Sequence, residues 1–186
     1  MQLLFDILLT ALSIFVIGSH AVLGKGHFKS TKMPAGANFV SASVLTTLAV
    51  FLILLWTNHA PLWAQVIALI LEGLSLWLFF RTIAASRDGA LHFAFDTDNP
   101  VSLVTAGPYR YVRHPFYTSY LIFWTGLALG TWSLWAVPVL VLMAVLYTVA
   151  ARGEEAKFAR TDMAGDYAAY RSVSYTHLTL PTNREV

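Results

Sequence analysis

The sequence predicts an all-α integral membrane protein. It is expected to have about five transmembrane helices, the last two a tight helical hairpin, followed by a cytoplasmic helical C-terminal segment. Three observations carry this prediction: the composition, the recurrence of apolar runs of crossing length, and basic residues confined to alternate connections. Hydrophobic residues make up 57% of the 186 positions and charged residues 12%, whereas a soluble domain carries roughly 25% charged residues to cover its surface. This composition excludes a disordered chain, a coiled coil and a free cytosolic enzyme. A net charge of +2 is too small to argue for nucleic acid. Cysteine is absent, which removes disulfides, thiolate nucleophiles and thiolate metal sites together.

The elements follow in order. A hydrocarbon core of about 30 Å takes about 20 helical residues to cross. The first apolar run is 3–23, interrupted by Asp6 and His20. It lacks a basic leading region and a small-residue cleavage site, so it reads as a span and not as a cleavable signal peptide. The second run is 39–56, and the third is 62–80 with Gln65 and Glu72 inside it. The fourth, 117–151, carries no charge and as one helix would be about 50 Å long, too much for one crossing. Gly130-Thr131-Trp132-Ser133, with Pro138 after it, is the natural break.

Loop charges orient these spans. Lys25, Lys29 and Lys32 follow the first span, Arg81, Arg87, Arg110 and Arg113 the third, and Arg152, Lys157 and Arg160 the last. The alternate connections, 57–61 and 130–133, carry no Lys or Arg. An odd number of spans puts every basic segment on one side, which the positive-inside rule makes cytoplasmic, with the N-terminus outside. Residues 172–186, reading SVSYTHLTLPTNREV, break the preceding helical pattern and resemble the conceptual translation of a sequencing adapter, the alternative being a polar C-terminal tail. They are set apart from residues 1–171, the expected single membrane domain.

Two cytoplasmic-side segments combine polar chemistry with unusual local sequence. In the first, residues 105–117, Gly107-Pro108 forces a turn, and Pro115 suits the first turn of the next helix. Arg113 and His114 then stand at a helix entrance beside free backbone N–H groups, which favour an anionic or polar ligand. Tyr109, Tyr111 and Tyr117 can stack on a flat ring, although arginines and tyrosines are also what an ordinary membrane boundary carries. The second is Arg152-Gly153-Glu154-Glu155 at the exit of the last span. Its acids suit sugar hydroxyls or an ammonium group, or else surface ion pairs at i,i+3. Neighbouring helical residues point about 100° apart, so at most one of the two glutamates faces a given ligand squarely.

Residues 105–117 match the GPY-x-x-x-RHP-x-Y signature of the isoprenylcysteine carboxyl methyltransferase family, which is related to the phospholipid methyltransferases. Arg152 to Glu155 resembles the family's glutamate-pair motif, and Phe158, Tyr167 and Tyr170 the aromatic positions that follow. The resemblance covers residues 79–171; the first three spans match in hydropathy alone. It implies a membrane-embedded methyltransferase that uses S-adenosylmethionine without a Rossmann domain. Carried over by residue, it places cofactor contacts at Leu103, Val104, Tyr109, His114, Pro115, Tyr117, Glu154 and Glu155, with Arg152 on the acceptor side and His114 and Arg152 as catalytic candidates. Two departures stand out: Thr118-Ser119 replaces a glycine usual after the last motif tyrosine, and the adapter-like residues stand where the family has a basic, proline-ended tail.

The implied chemistry needs neither metal nor covalent nucleophile, in keeping with six histidines that show no ligand spacing. Methyl transfer from a sulfonium is mainly alignment and exclusion of water. A carboxylate acceptor needs no base, whereas an amine must lose a proton, for which His114 or a glutamate is the candidate. The expected partners are membrane lipids and a lipophilic or lipid acceptor, most like a prenylcysteine-type carboxylate, with a phospholipid amine as the alternative; no protein or nucleic-acid partner is evident. An NADPH-dependent reductase of the sterol-reductase type and a non-enzymatic transporter or sensor are the rival readings. Glu72, mid-span, reads either as a residue lining an acceptor tunnel or as a protonated or paired carboxyl packed between helices. His92, Asp96, Asp98 and Asn99 form a polar connector or part of a lid, and the tryptophans read mostly as interfacial anchors or helix packing.

Overall fold

The computed structural model describes residues 1–27, 35–87, 89 and 102–174. Its elements are α1 (Gln2–His27), α2 (Ala35–Thr57), α3 (Leu62–Ser86), a 3-10 turn (Gly107–Arg110), α4 (Pro115–Thr131), α5 (Ala136–Phe158) and α6 (Ala164–Val173), with no strand among the described residues. The loop lysines Lys29 and Lys32 and the polar stretch from His92 to Asn99 lie outside the described residues.

Four helices, α1, α2, α3 and α5, are long and apolar enough to cross a membrane. α4 has 17 residues, about 25 Å at 1.5 Å per residue, the short end of the crossing range. The expectation of five spans thus meets four helices of full length and a shorter fifth packed among them. α6 continues through Val173, two residues past the expected domain edge at Arg171.

The long apolar run does break between α4 and α5, within the expected stretch 130–133, and the residue that turns the chain is Trp132. Trp132 takes the left-handed conformation (φ 48°) and its N–H bonds the Leu129 carbonyl at 3.0 Å. Gly130 serves packing instead. α4 lies closest to α3 and not to its hairpin partner α5. In a bilayer, lipid tails compete with any apolar helix face, so close approach depends on small residues and interhelical polar bonds. Gly126 and Gly130 provide that approach on α4. A Cβ on Gly126 would lie 2.8 Å from Leu71 Cβ and 3.1 Å from the Ala68 carbonyl oxygen. Ser75 Oγ adds a bond to the Ser119 carbonyl at 2.7 Å.

The bundle carries its polar residues inside and its large apolar ones outside. Ile14, Val22, Phe39, Ile53, Ile70 and Trp77 are exposed, while Asp6, Ser13, Gln65, Glu72 and Ser75 are buried. Of the tryptophans, Trp56, Trp63, Trp132 and Trp135 are exposed at the end of the bundle where α2 passes to α3 and α4 to α5. Trp124 is fully buried, and its indole N–H bonds Tyr147 Oη at 3.0 Å.

Replacing Gly126 with leucine should overpack the α3–α4 contact and destabilise the protein by about 1–3 kcal/mol. Gly18→Ala should be neutral or slightly stabilising, because a Cβ there meets nothing within 4 Å. Thermal unfolding of the detergent-solubilised variants checks both.

Candidate active site

The segment leading into α4 folds as its sequence suggests, and one glycine controls it. Gly107 sits at φ +58°, and a Cβ there would stand 2.7 Å from Ala85 Cβ on α3. Both the backbone angle and the close approach therefore require glycine. The turn buries Tyr109 and leaves Tyr111 69% exposed. His114 caps α4 and Pro115 opens it, so the missing proline N–H is one of the unpaired first-turn groups anyway.

The glutamate pair at the end of α5 closes onto this entrance. Arg113 Nε donates to Glu155 Oε1 at 2.9 Å, and His114 Nε2 bonds the same oxygen at 3.1 Å. The other imidazole nitrogen, Nδ1, faces Glu154 Oε2 at 3.4 Å, and the Tyr117 hydroxyl donates to Glu154 Oε1. His114 is thus held between two carboxylates with its side chain 9% exposed. Burial by itself would lower its pKa; the hydrogen bonds and charges of Glu154 and Glu155 outweigh that and hold it up to about 9. Held between two carboxylates, His114 favours its protonated form, in which it donates to Glu155 and faces Glu154 as a charge partner.

Arg113 has a second role. Its Nη1 donates to the carbonyls of Ser174 at 2.7 Å and Arg171 at 3.3 Å, satisfying orphan acceptors at the C-terminal end of α6. Tyr170 Oη donates to the Tyr109 carbonyl at 2.6 Å, and the Tyr167 ring stacks on Phe158 with centroids 4.7 Å apart. One arginine and one tyrosine therefore lock α6 across the motif. Removing either member of so enclosed an ion pair typically costs about 3 kcal/mol or more, because the other charge is left unpaired.

A cavity of about 450 Å³ opens beneath this clamp, running from the motif residues into the helix bundle. Leu103, Val104, Tyr109, His114, Pro115, Tyr117 and Glu154 all line it. Glu155 does not line it; it is turned toward Arg113 and His114. Two expected acceptor-side residues also lie elsewhere. Arg152 is exposed, and two residues along a helix point about 200° apart, so the face that brings Glu154 to the cavity turns Arg152 away. Glu72 is fully buried on the α3 face that meets α1, accepting from Ser13 Oγ at 2.7 Å, and it is absent from the cavity wall.

Sequence reasoning missed the far half of the wall. Ile17, His20 and Ala21 of α1 and Val40 and Val44 of α2 line the cavity, as do Tyr120, Trp124 and Tyr147. The aromatic members pack on one another: Tyr147 lies 5.6 Å from Tyr117 and 5.4 Å from Tyr120 between ring centroids. Tyr117, Tyr120 and Trp124 recur at helical spacing on α4, the one signal that pointed to this face. Nothing local marks α1 or α2, whose contribution arises from tertiary packing. Among the described residues no group of three or more His, Cys, Asp or Glu side chains is placed to hold a metal ion.

The His114 clamp carries a pH dependence with a definite sign. The folded-state pKa of about 9 lies above the ordinary 6.5, so the stabilisation is complete below about pH 6.5 and is lost as pH rises through about 9. Thermal unfolding followed from pH 6 to pH 10 should show the wild-type protein losing stability over that window relative to His114→Gln. Parallel curves for the two proteins would contradict the clamp.

No curated protein matches the chain. A family model described as Phospholipid methyltransferase matches residues 63–162, which takes in α3, the motif turn, α4, α5 and both halves of the clamp. With more than half of its length so matched, the chain belongs to the phospholipid methyltransferase family, a family of membrane methyltransferases.

Proposed function

We propose that the protein transfers a methyl group from S-adenosylmethionine to the amine headgroup of a membrane lipid. The observation that carries this reading is a single cavity joining the carboxylate-bearing motif to an aromatic, apolar interior. A polar methyl donor and a lipid-soluble acceptor must meet, and a cavity with one polar and one apolar end allows that. The residues present fit the donor: Glu154 offers a carboxylate to ribose hydroxyls or an ammonium group, and tyrosine faces suit both a flat base and a sulfonium cation. Bound there, S-adenosylmethionine would supply an electrophilic methyl group on sulfur.

The protein's own task is then binding, alignment and exclusion of water. Tyr117 and His114 fix the Glu154 carboxylate from two sides, so it meets a ligand without reorganising. Leu103, Val104 and Pro115 complete the expected cofactor end. Among the described residues, the two cationic side chains that line the cavity, Arg113 and His114, already carry glutamate partners. The arrangement therefore favours a cationic headgroup over an anionic one. An amine acceptor must be unprotonated to attack the methyl carbon.

The second reading, O-methylation of a prenylcysteine-type carboxylate, rests on the RHP and glutamate-pair resemblance. Under either reading, residues 1–171 form one membrane methyltransferase domain whose motif-bearing half is 79–171. Five spans then place the N-terminus outside and the motif in the cytoplasm, as the loop charges require.

Incubating the purified protein with methyl-labelled donor and total membrane lipid separates these readings. Label that survives mild base and migrates with amine phospholipids supports the proposal. Base-labile label, released as methanol, would establish the carboxylate reading instead. Glu154→Gln should lower turnover by at least about tenfold, the scale of a lost charge-assisted contact.

A further inference from the structure

α1 and α3 meet along a seam of unusual regularity. Gln65 Nε2 donates to Asp6 Oδ1 at 2.6 Å, and Ser13 Oγ donates to Glu72 Oε1 at 2.7 Å. The His20 ring lies 4.3 Å from the Phe79 ring, and His27 Nε2 stands 3.0 Å from Ser86 Oγ. The three hydrogen-bonded pairs share one offset of 59 residues, and His20 with Phe79 has the same offset. Successive layers are one heptad apart on both helices, so α1 and α3 run parallel in a single register with the period of a left-handed coiled coil. The intervening positions agree: Leu9 and Val16 are fully buried on α1, and Ala68, Ser75 and Thr82 on α3.

Apolar contacts between large side chains discriminate weakly among registers inside a bilayer, because lipid tails solvate leucine nearly as well as a neighbouring helix does. Polar pairs discriminate more strongly, since each misaligned group would be left without a partner in hydrocarbon. A slip of one heptad in one direction would set Asp6 against Glu72, carboxyl on carboxyl, and Ser13 against Phe79. The opposite slip would carry Asp6 past the start of α3 to Asn58. Either slip moves α1 by about 10 Å, and α1 supplies Ile17, His20, Ala21 and Gly24 to the cavity wall.

We infer that the polar seam is a register lock: Asp6, Ser13, Gln65 and Glu72 are positioning residues that fix the α1 wall of the cavity and so shape its acceptor end. The effect on acceptor binding rests on the function proposed above; the register itself does not. This assigns Glu72 a part in acceptor binding that it plays through α1, without touching the acceptor.

The chain has no cysteine, so paired substitutions report register directly. Leu9→Cys with Ala68→Cys keeps the 59-residue offset, while Val16→Cys with Ala68→Cys and Leu9→Cys with Ser75→Cys report a one-heptad slip either way. In detergent-solubilised protein a short thiol cross-linker should join only the first pair. In a background carrying Asp6→Leu, Ser13→Ala, Gln65→Leu and Glu72→Leu, that product should fall about tenfold and a slipped product appear. The first pair cross-linking equally well in both backgrounds would overturn the lock. A second arm guards against loss of folding. Gln65→Glu, which sets a second carboxyl against Asp6 in place of the amide donor, should raise the acceptor KM about tenfold with S-adenosylhomocysteine affinity unchanged, and adding Asp6→Asn, which restores an amide–carboxyl pair, should reverse it. No rise, or a rise without rescue, would contradict the inference. Cross-linking as expected in a protein that transfers no methyl group would sink the proposed function and leave the register lock standing.

Discussion

The two glutamates at the end of α5 are the constraint on which the rest of the site depends. Placed side by side on a helix, they point about 100° apart, and each must find a partner as the chain leaves the bundle. Glu155 takes Arg113 and His114, and Glu154 takes Tyr117 and the other face of His114. Those bonds draw the exit of α5 onto the entrance of α4. Through the second set of bonds from Arg113, they also bring α6 across the opening. One histidine shared by two carboxylates thus organises three helices, and the same bonds that hold them leave Glu154 facing the cavity. Under the proposed function, stability and ligand chemistry share these residues, so few of them can change without affecting both.

The remainder of the bundle answers a different constraint, that of packing helices in a solvent as apolar as their own side chains. The protein meets it by placing polar and small residues inside. α3 is the central example: its buried stripe contains Gln65, Glu72, Ser75, Thr82 and Ser86, with Ala64, Ala68 and Phe79. One side of that stripe bonds α1; the other receives the glycines of α4. The cavity remains between α1, α2, α4 and α5, where tyrosine and tryptophan rings make its wall.

Much of this was legible in the sequence, for identifiable reasons. Span positions follow from apolar runs, which depend on no tertiary contact. The break at 130–133 was legible because a run of 117–151 exceeds one crossing; that Trp132 takes the left-handed turn while Gly130 packs against Ala68 depends on the approach of α3, which the sequence does not show. The motif residues from Tyr109 to Tyr117 read as one segment because that motif is local, and it was the family resemblance that joined Glu154 to them. The pairing of Glu155 with Arg113 could not be seen, since it joins residues 42 positions apart. Arg152 was expected at the acceptor side from the resemblance, which does not specify which way a helix face turns, and of the two readings of Glu72 the structure fits the paired carboxyl packed between helices. The seven-residue rhythm shared by α1 and α3 was present in the sequence, but it becomes meaningful only once the two helices are known to be neighbours.

Membership of the phospholipid methyltransferase family and the walls of the cavity lead to one central claim: the clamp end of this cavity binds the methyl donor. Calorimetric binding of S-adenosylhomocysteine to the detergent-purified protein tests it most directly, with NADPH titrated in parallel and Glu154→Ala as the variant. The account predicts saturable binding of S-adenosylhomocysteine that Glu154→Ala weakens by at least about tenfold, and no binding of NADPH. Binding of NADPH alone, or binding of S-adenosylhomocysteine indifferent to Glu154, would contradict it.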